Sequence, residues 1–349
     1  MKIFKRAIIS LLLIELSIRL FLYFAWHIPL LHPQYFLYRF YGNLSSQDSY
    51  TYKSNNANLL ILGGSTLSAD TLRFSYNKVN YVINFCNVPA HFGKNQPINA
   101  LSLAYPANTI LDCLYEYQFM GHQKFDYLLL YNGINDTRAN NIAPEKFDTQ
   151  YRHIEFYDDL AILQRHPEIN ITVLPFVFDW AQHGLQKRFW PINYLPKENL
   201  HQLRSEQGRK EFLQYGNNIK TEAVFKATLE QIKTIADKRG QKLILSSFAW
   251  YQPSDYTYEN FNAKKLDYSQ SLFPTELYGE PEYVIKGVNI HNALIREFAA
   301  TNPDIIFVDA EKFIPKEGKY FNDICHLSDA GCALFSDSIL RVMESHQSQ

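Results

Sequence analysis

The amino-acid sequence predicts an α/β fold, a parallel sheet between two helical layers, carried behind one N-terminal transmembrane helix. Two patterns predict the three-layer sandwich, and a third predicts the membrane helix. Short apolar runs alternate with stretches of helical spacing from residue 57 to residue 345. Such alternation builds a parallel sheet covered on both faces through right-handed crossovers. Several of those runs end in turn residues with polar side chains, as strands do where an open sheet meets its ligand crevice. Residues 7–26 are largely apolar and follow Lys2, Lys5 and Arg6.

The N-terminal stretch is expected to anchor the chain. About 20 apolar residues suffice to cross a hydrocarbon core of ~30 Å as a helix. The basic residues of segment 1–6 place the N-terminus in the cytoplasm and the remainder outside, on the periplasmic or cell-surface side. Tyr23 and Trp26 fall at the far end, where an aromatic belt lies. No Ala-x-Ala cleavage site follows, so an uncleaved anchor is expected. Glu15 and Arg19 interrupt the apolar run. They sit four residues apart, Glu first, and share one helix face. Two readings stay open: the pair neutralises itself, or it contacts a partner membrane helix.

Residues 27–56 read as a lead-in and residues 57–345 as the globular domain. Leu59–Leu62 is the first strand and ends in Gly63-Gly64-Ser65-Thr66; a helix is expected from Thr66 to Tyr76. Tyr81–Phe85 reads as a short strand or loop, and Ile98–Ala104 as the next core strand. Thr109–Gly121 has helical spacing, and Phe125–Tyr131 is a buried strand ending in Asn132-Gly133-Ile134-Asn135-Asp136. Residues 137–216 are irregular and aromatic, an insertion that shapes or covers the crevice. Asn218–Lys238 and Val284–Ala300 are helices, Lys242–Phe248 and Asp304–Val308 strands. Trp250–Pro281 reads as loop, and Ser328–Met343 as the last helix with Ser328 as its cap.

Composition narrows the function. The chain has 349 residues, is 46% hydrophobic and has a formal net charge of -1. No basic stripe points to nucleic acid. Four cysteines, Cys86, Cys113, Cys325 and Cys332, form no CxxC, and there is no HExxH, so no metal site is expected. Outside the cytoplasm these cysteines leave one or two disulfides open.

Three strand ends carry chemistry. A serine hydroxyl needs a base to become a nucleophile. Asp323-Ile324-Cys325-His326 supplies an imidazole with a carboxylate three residues before it. Asp323 is suited to fix the His326 tautomer, and His326 to take the proton of Ser65. Asn135 and the backbone N–H of Ser65 are suited to receive a developing oxyanion. Asp136 and Arg138 follow Asn135 directly, either as substrate contacts or as a local ion pair that braces the loop.

On these blocks the sequence resembles the SGNH (GDSL-like) hydrolases, of the membrane-anchored bacterial type. Gly63-Gly64-Ser65-Thr66 resembles the nucleophile block, with Gly64 where an Asp is usual. Gly133-Ile134-Asn135-Asp136 matches G-x-N-D, and Asp323 to Gly331 matches D-x-x-H-L-x-x-x-G. In the second block Ala107 stands at the glycine whose N–H is an oxyanion donor. The resemblance implies a flavodoxin-like sheet, esterase-type acyl transfer by Ser65, His326 and Asp323, an oxyanion hole of Ser65, Ala107 and Asn135, and no cofactor. It further implies an ester substrate, an O-acetylated envelope carbohydrate; the tyrosine-rich segment after Asp136, including Tyr151 and Tyr157, is expected to offer stacking faces to the sugar. Competing readings are an O-acyltransferase acting on surface polysaccharide, a lipid esterase, and a non-catalytic carbohydrate-binding or assembly protein that keeps the fold.

Overall fold

The structure, a computed structural model, describes residues 2–26, 30, 44, 49–68, 71–76, 79–84, 98–152, 172–174, 177, 181 and 205–347. The chain divides into two compact units, residues 1–45 with 155–195, and residues 46–154 with 196–349.

The second unit is built on strands β1 (Ala57–Gly63), β4 (Ile98–Ser102), β5 (Tyr127–Tyr131), β6 (Lys242–Ser246) and β7 (Ile306–Val308). They form one parallel sheet in the order β4-β1-β5-β6-β7. Among these five the chain order is 2-1-3-4-5, the flavodoxin-like arrangement, whose switch point lies between the first and third strands. Leu59, Leu60, Ile61 and Leu62 are all fully buried. A central parallel strand covered on both faces needs such an unbroken apolar run.

The pleat sends Leu59 and Ile61 to one face with Leu129, Tyr131 and Ile244, where they meet Phe335, Ile339 and Met343. Those last three belong to the C-terminal helix, Asp329–Gln347. Helix Ile110–Phe119 packs on β1 and on helix Glu222–Lys238, which itself packs on β6 and on helix Pro281–Thr301. The expected strands and long helices therefore appear, with ends displaced by a few residues.

The helix expected at Thr66–Tyr76 is absent. A short 3-10 turn, Ser65–Leu67, is followed by the strands β2 (Thr71–Tyr76) and β3 (Val79–Asn84), which pair antiparallel as a separate hairpin. β-Branched and aromatic residues dominate both segments, and Tyr76 opposes Val79 across a two-residue connection. This hairpin propensity outweighs the helical reading. Trp250–Pro281 is mostly loop, as expected, with a short helix at Tyr258–Asn262 and a 3-10 turn at Thr275–Leu277. Much of the 137–216 insertion lies outside the described residues.

In the first unit the helix Lys2–Trp26 contains a 22-residue stretch, Phe4–Ala25, long and apolar enough to cross a membrane. Its large apolar side chains are mostly exposed, from Phe4 through Ile9, Leu12 and Phe21 to Phe24. Arg19 Nε donates to Glu15 Oε1 at 2.7 Å, so the expected i,i+4 pair forms.

Candidate active site

The site assembles where β1 and β5 end. Ser65 opens the turn after β1, and its Oγ lies 2.9 Å from His326 Nε2. His326 Nδ1 lies 2.8 Å from Asp323 Oδ2 and 3.0 Å from Oδ1. Ser65 and His326 are 261 residues apart in sequence, yet both are buried, and Asp323 has no exposed surface.

Local backbone geometry locks the acid. Asp323 Oδ1 accepts the backbone N–H groups of Cys325 and His326, each at 2.9 Å, which folds Asp323–His326 into a tight turn. The Phe273 N–H donates to Oδ2 at 3.2 Å. Burial raises the Asp323 carboxyl, but charge attraction and a hydrogen bond from the His326 ring, together with the two turn amides, outweigh burial and hold it below the ordinary value. The acid is therefore a carboxylate that fixes which ring nitrogen carries the proton, leaving Nε2 free to accept from Ser65.

Segment 251–278 straps this turn in place. Tyr251 N donates to Ile324 O, Ser269 N to Phe321 O and Leu272 N to Asn322 O. The Phe273 ring lies 5.6 Å from the His326 ring. No motif in the sequence marks Phe273, because its contact with the triad comes from a long-range return of the chain.

Two donors face no acceptor. Among the described residues, neither the Ser65 N–H nor the Ala107 N–H has a hydrogen-bond partner. Ala107 sits at φ 66°, the left-handed region that favours glycine. This conformation costs an L-residue about 1–2 kcal/mol, and it persists only where the surroundings over-determine it. Three buried carboxyl groups do so, one for each of the next three residues. Glu116 Oε1 accepts from Asn108 Nδ2 at 2.8 Å, Asp112 Oδ2 from Thr109 N and Oγ1 at 2.7 Å, and Asp136 Oδ1 from Ile110 N at 3.0 Å.

Asn135 Nδ2 donates to Asn108 O at 2.9 Å. Its second amide hydrogen has no acceptor among the described residues. The amide is also pressed against the nucleophile turn. A Cβ on Gly64 would lie 2.6 Å from Asn135 Nδ2. Gly133, first residue of the Gly133–Asp136 block, leaves similar room for the Phe248 ring, 2.6 Å from where its Cβ would be.

Asp136 and Arg138 do not form the expected ion pair. Residues i and i+2 of a helix face apart, and Asp136 is turned instead to the N-terminus of helix Ile110–Phe119, with Tyr151 Oη donating to it at 3.2 Å. Asp136 is fully buried and gives substrate no surface, and Arg138 is buried as well. Burial pushes the Asp136 carboxyl up to about 8, against the pull of the Ile110 N–H and the Tyr151 hydroxyl. Tyr151 is fully buried as well, so it offers no stacking face; Tyr157 lies outside the described residues.

The Asp323 carboxylate, Cys325 Sγ and His326 Nδ1 lie within 4.8 Å of one another, a set able to hold a metal ion. In this arrangement Nδ1 is engaged by Asp323, and burial pushes the Cys325 thiol well up, keeping it protonated and a poor ligand. Cys113 and Cys325 are free thiols and Cys332 is in a disulfide; Cys86 lies outside the described residues.

No protein-family model and no curated protein sequence matches the chain. Among solved structures, it is similar to a GDSL-like lipase from Bacteroides thetaiotaomicron at 11% identity and TM-score 0.45, over 90% of this chain and 98% of that one. It is also similar to an acetyl xylan esterase variant from Geobacillus stearothermophilus at 12% identity and TM-score 0.41, over 82% and 94% of the two chains. An alpha/beta hydrolase enzyme from the metagenome of Lake Arreo, Spain, aligns at 12% identity and TM-score 0.42, over 83% and 96%. The fold and side chains together define a flavodoxin-like α/β sandwich with a hydrogen-bonded Ser-His-Asp chain at its strand ends.

Proposed function

We propose that the protein is a serine esterase of the SGNH type, tethered by its N-terminal helix, that removes an O-acyl group, an acetyl in the first instance, from an envelope carbohydrate. The single observation that carries the chemistry is the chain from Ser65 Oγ through His326 to Asp323, at 2.9 Å and 2.8 Å. Ser65 Oγ attacks the ester carbonyl while His326 Nε2 takes its proton. The oxyanion is received by the N–H groups of Ser65 and Ala107 and the second amide hydrogen of Asn135. His326 returns the proton to the departing sugar oxygen as the ester C–O bond breaks. Water, deprotonated by His326, then attacks the acyl-enzyme, releasing the acid and restoring Ser65.

Asp136 acts here as a brace for the loop bearing Ala107, not as a substrate contact. The Cys332 disulfide supports a domain outside the cytoplasm, since disulfides persist in oxidising compartments. The test uses the full chain in detergent with p-nitrophenyl acetate, longer acyl esters and a fluorophosphonate probe. Turnover and labelling are expected for the wild type, with both reduced by about 10⁴-fold or more in Ser65→Ala. Activity that survives Ser65→Ala removes the assigned nucleophile. No turnover and no labelling in the wild type leaves the carbohydrate-binding reading instead. Free acetate against acetylated glycan, measured on an acetylated polysaccharide, separates hydrolysis from transfer.

A further inference from the structure

Asn135 owes its place to a helix of six residues, Ile134–Ala139. A helix that short does not hold its own position, since isolated helices below about 12–15 residues are marginal in water. Whatever fixes this helix also fixes the amide that faces the reaction. Thr137 stands two residues after Asn135, and residues so spaced on a helix face apart. Away from the site, then, the Thr137 hydroxyl lies 3.3 Å from Nδ1 of His291, in the middle of helix Pro281–Thr301.

His291 has no exposed surface, and both of its ring nitrogens are engaged. Nε2 lies 2.9 Å from the Thr221 hydroxyl. That hydroxyl and the Thr221 N–H also reach Asn140 Oδ1, at 3.2 Å and 3.1 Å. One imidazole therefore joins the Asn135 helix to the heads and middles of two long helices, Glu222–Lys238 and Pro281–Thr301. The ring lies flat on Phe225, with centroids 4.4 Å apart and planes 13° from parallel. Burial pushes the imidazole down to about 4, against a hydrogen bond to the Gly133 backbone. Above that pH it is neutral, with one nitrogen a donor and the other an acceptor. Hydroxyls serve either nitrogen, so the link forms without burying a charge. Gly287, one turn before His291, brings the same helix against Thr137: a Cβ there would lie 2.7 Å from Thr137 Cγ2.

We infer that His291 is a positioning residue for the reaction: through Nδ1 and Thr137 it sets where Asn135 presents its second amide hydrogen to the oxyanion. It is fully buried and gives substrate no surface, so it acts only through Thr137 and the helix that carries Asn135. The inference deepens the esterase reading and rests on it.

The test is p-nitrophenyl acetate kinetics on the full chain in detergent, with folding followed by circular dichroism. His291→Phe keeps a flat ring for Phe225 and removes both nitrogens. It is expected to lower kcat by about 10–10²-fold and leave KM unchanged, the pattern of an interaction made only in the transition state. Added to Asn135→Ala, it is expected to lower kcat no further, because both act through one amide. Two amide variants separate positioning from packing. Asn places its amide where Nδ1 stands and Gln where Nε2 stands, so His291→Asn is expected to recover most of the kcat lost in His291→Phe, and His291→Gln is not. Should His291→Phe not fold, Thr137→Val breaks the same link by removing one hydroxyl, and a kcat at least threefold lower at unchanged KM supports the inference. A folded His291→Phe or Thr137→Val with wild-type kcat overturns it and leaves the esterase standing. So does a full additional loss on Asn135→Ala, or equal recovery by Asn and Gln. A wild type without turnover overturns both.

Discussion

Gly64→Ala isolates the oxyanion donor from the rest of the site. Gly64 has φ -88°, which any residue adopts, so a methyl group acts only through the space it takes. It would lie 2.6 Å from Asn135 Nδ2. Ordinary carbon contacts begin near 3.5 Å, so the amide must retreat by roughly 0.9 Å. Nδ2 is the free end of a side chain, and it can retreat without moving the sheet. A shift of ~1 Å at a catalytic group costs about 10²-fold in rate, or ~2.7 kcal/mol of transition-state stabilisation. The accompanying weakening of the Asn135–Asn108 bond costs ~1 kcal/mol of stability, about 2–4 °C in Tm.

The assay is p-nitrophenyl acetate kinetics alongside a circular-dichroism melt. The expected result is a kcat about 10²-fold lower with KM unchanged, the pattern of an interaction made only in the transition state. Asn135→Ala sets the ceiling, at ~10²–10³-fold, and Gly64→Ala combined with Asn135→Ala is expected to add nothing further. A Gly64→Ala enzyme within threefold of wild type, or a full additional loss on top of Asn135→Ala, refutes the assignment of Asn135 as the donor pressed by this turn.

Asp136 and the disulfide give two more predictions. The folded Asp136 carboxyl titrates near 8 against an ordinary 3.8; between those values the folded state holds a proton that the unfolded chain has lost. Stability therefore falls as pH rises through that window, by up to ~1.4 kcal/mol per pH unit. Asp136→Asn keeps an acceptor for the Ile110 N–H without the charge, so its Tm is expected to match wild type near pH 4 and exceed it near pH 8; parallel Tm curves across that range exclude the buried acid as the cause. Non-reducing peptide mapping is expected to find Cys332 in a disulfide and Cys113 and Cys325 alkylatable only after unfolding, and a freely alkylated Cys332 in the native protein contradicts the assignment.

What was legible in the sequence was local. The run Leu59–Leu62, ending in two glycines, reads as a buried strand, and β1 is fully buried there as an interior strand of the sheet. Asp323 and His326 are three residues apart, and a three-residue turn suffices to bring carboxylate to imidazole. The pairing of Glu15 with Arg19 likewise follows from helical spacing. The helix expected after Ser65 failed because periodicity over a short segment does not separate a helix from a hairpin whose strands pair with each other.

Tertiary structure decided everything that depends on distant segments meeting. Ser65 reaches His326 only because parallel strands end on one edge. The strap that carries Phe273 to Asp323 returns across 50 residues. The left-handed Ala107 is held by Glu116, Asp112 and Asp136, of which the last comes from another strand end. Gly64 is a turn residue to the eye, but its need for glycine comes from Asn135, on a strand end that β1 meets only in the folded sheet. Sequence spacing reports neighbours along the chain. Ser65, His326, Ala107 and Asn135 are neighbours only across the sheet, and packing alone sets those distances.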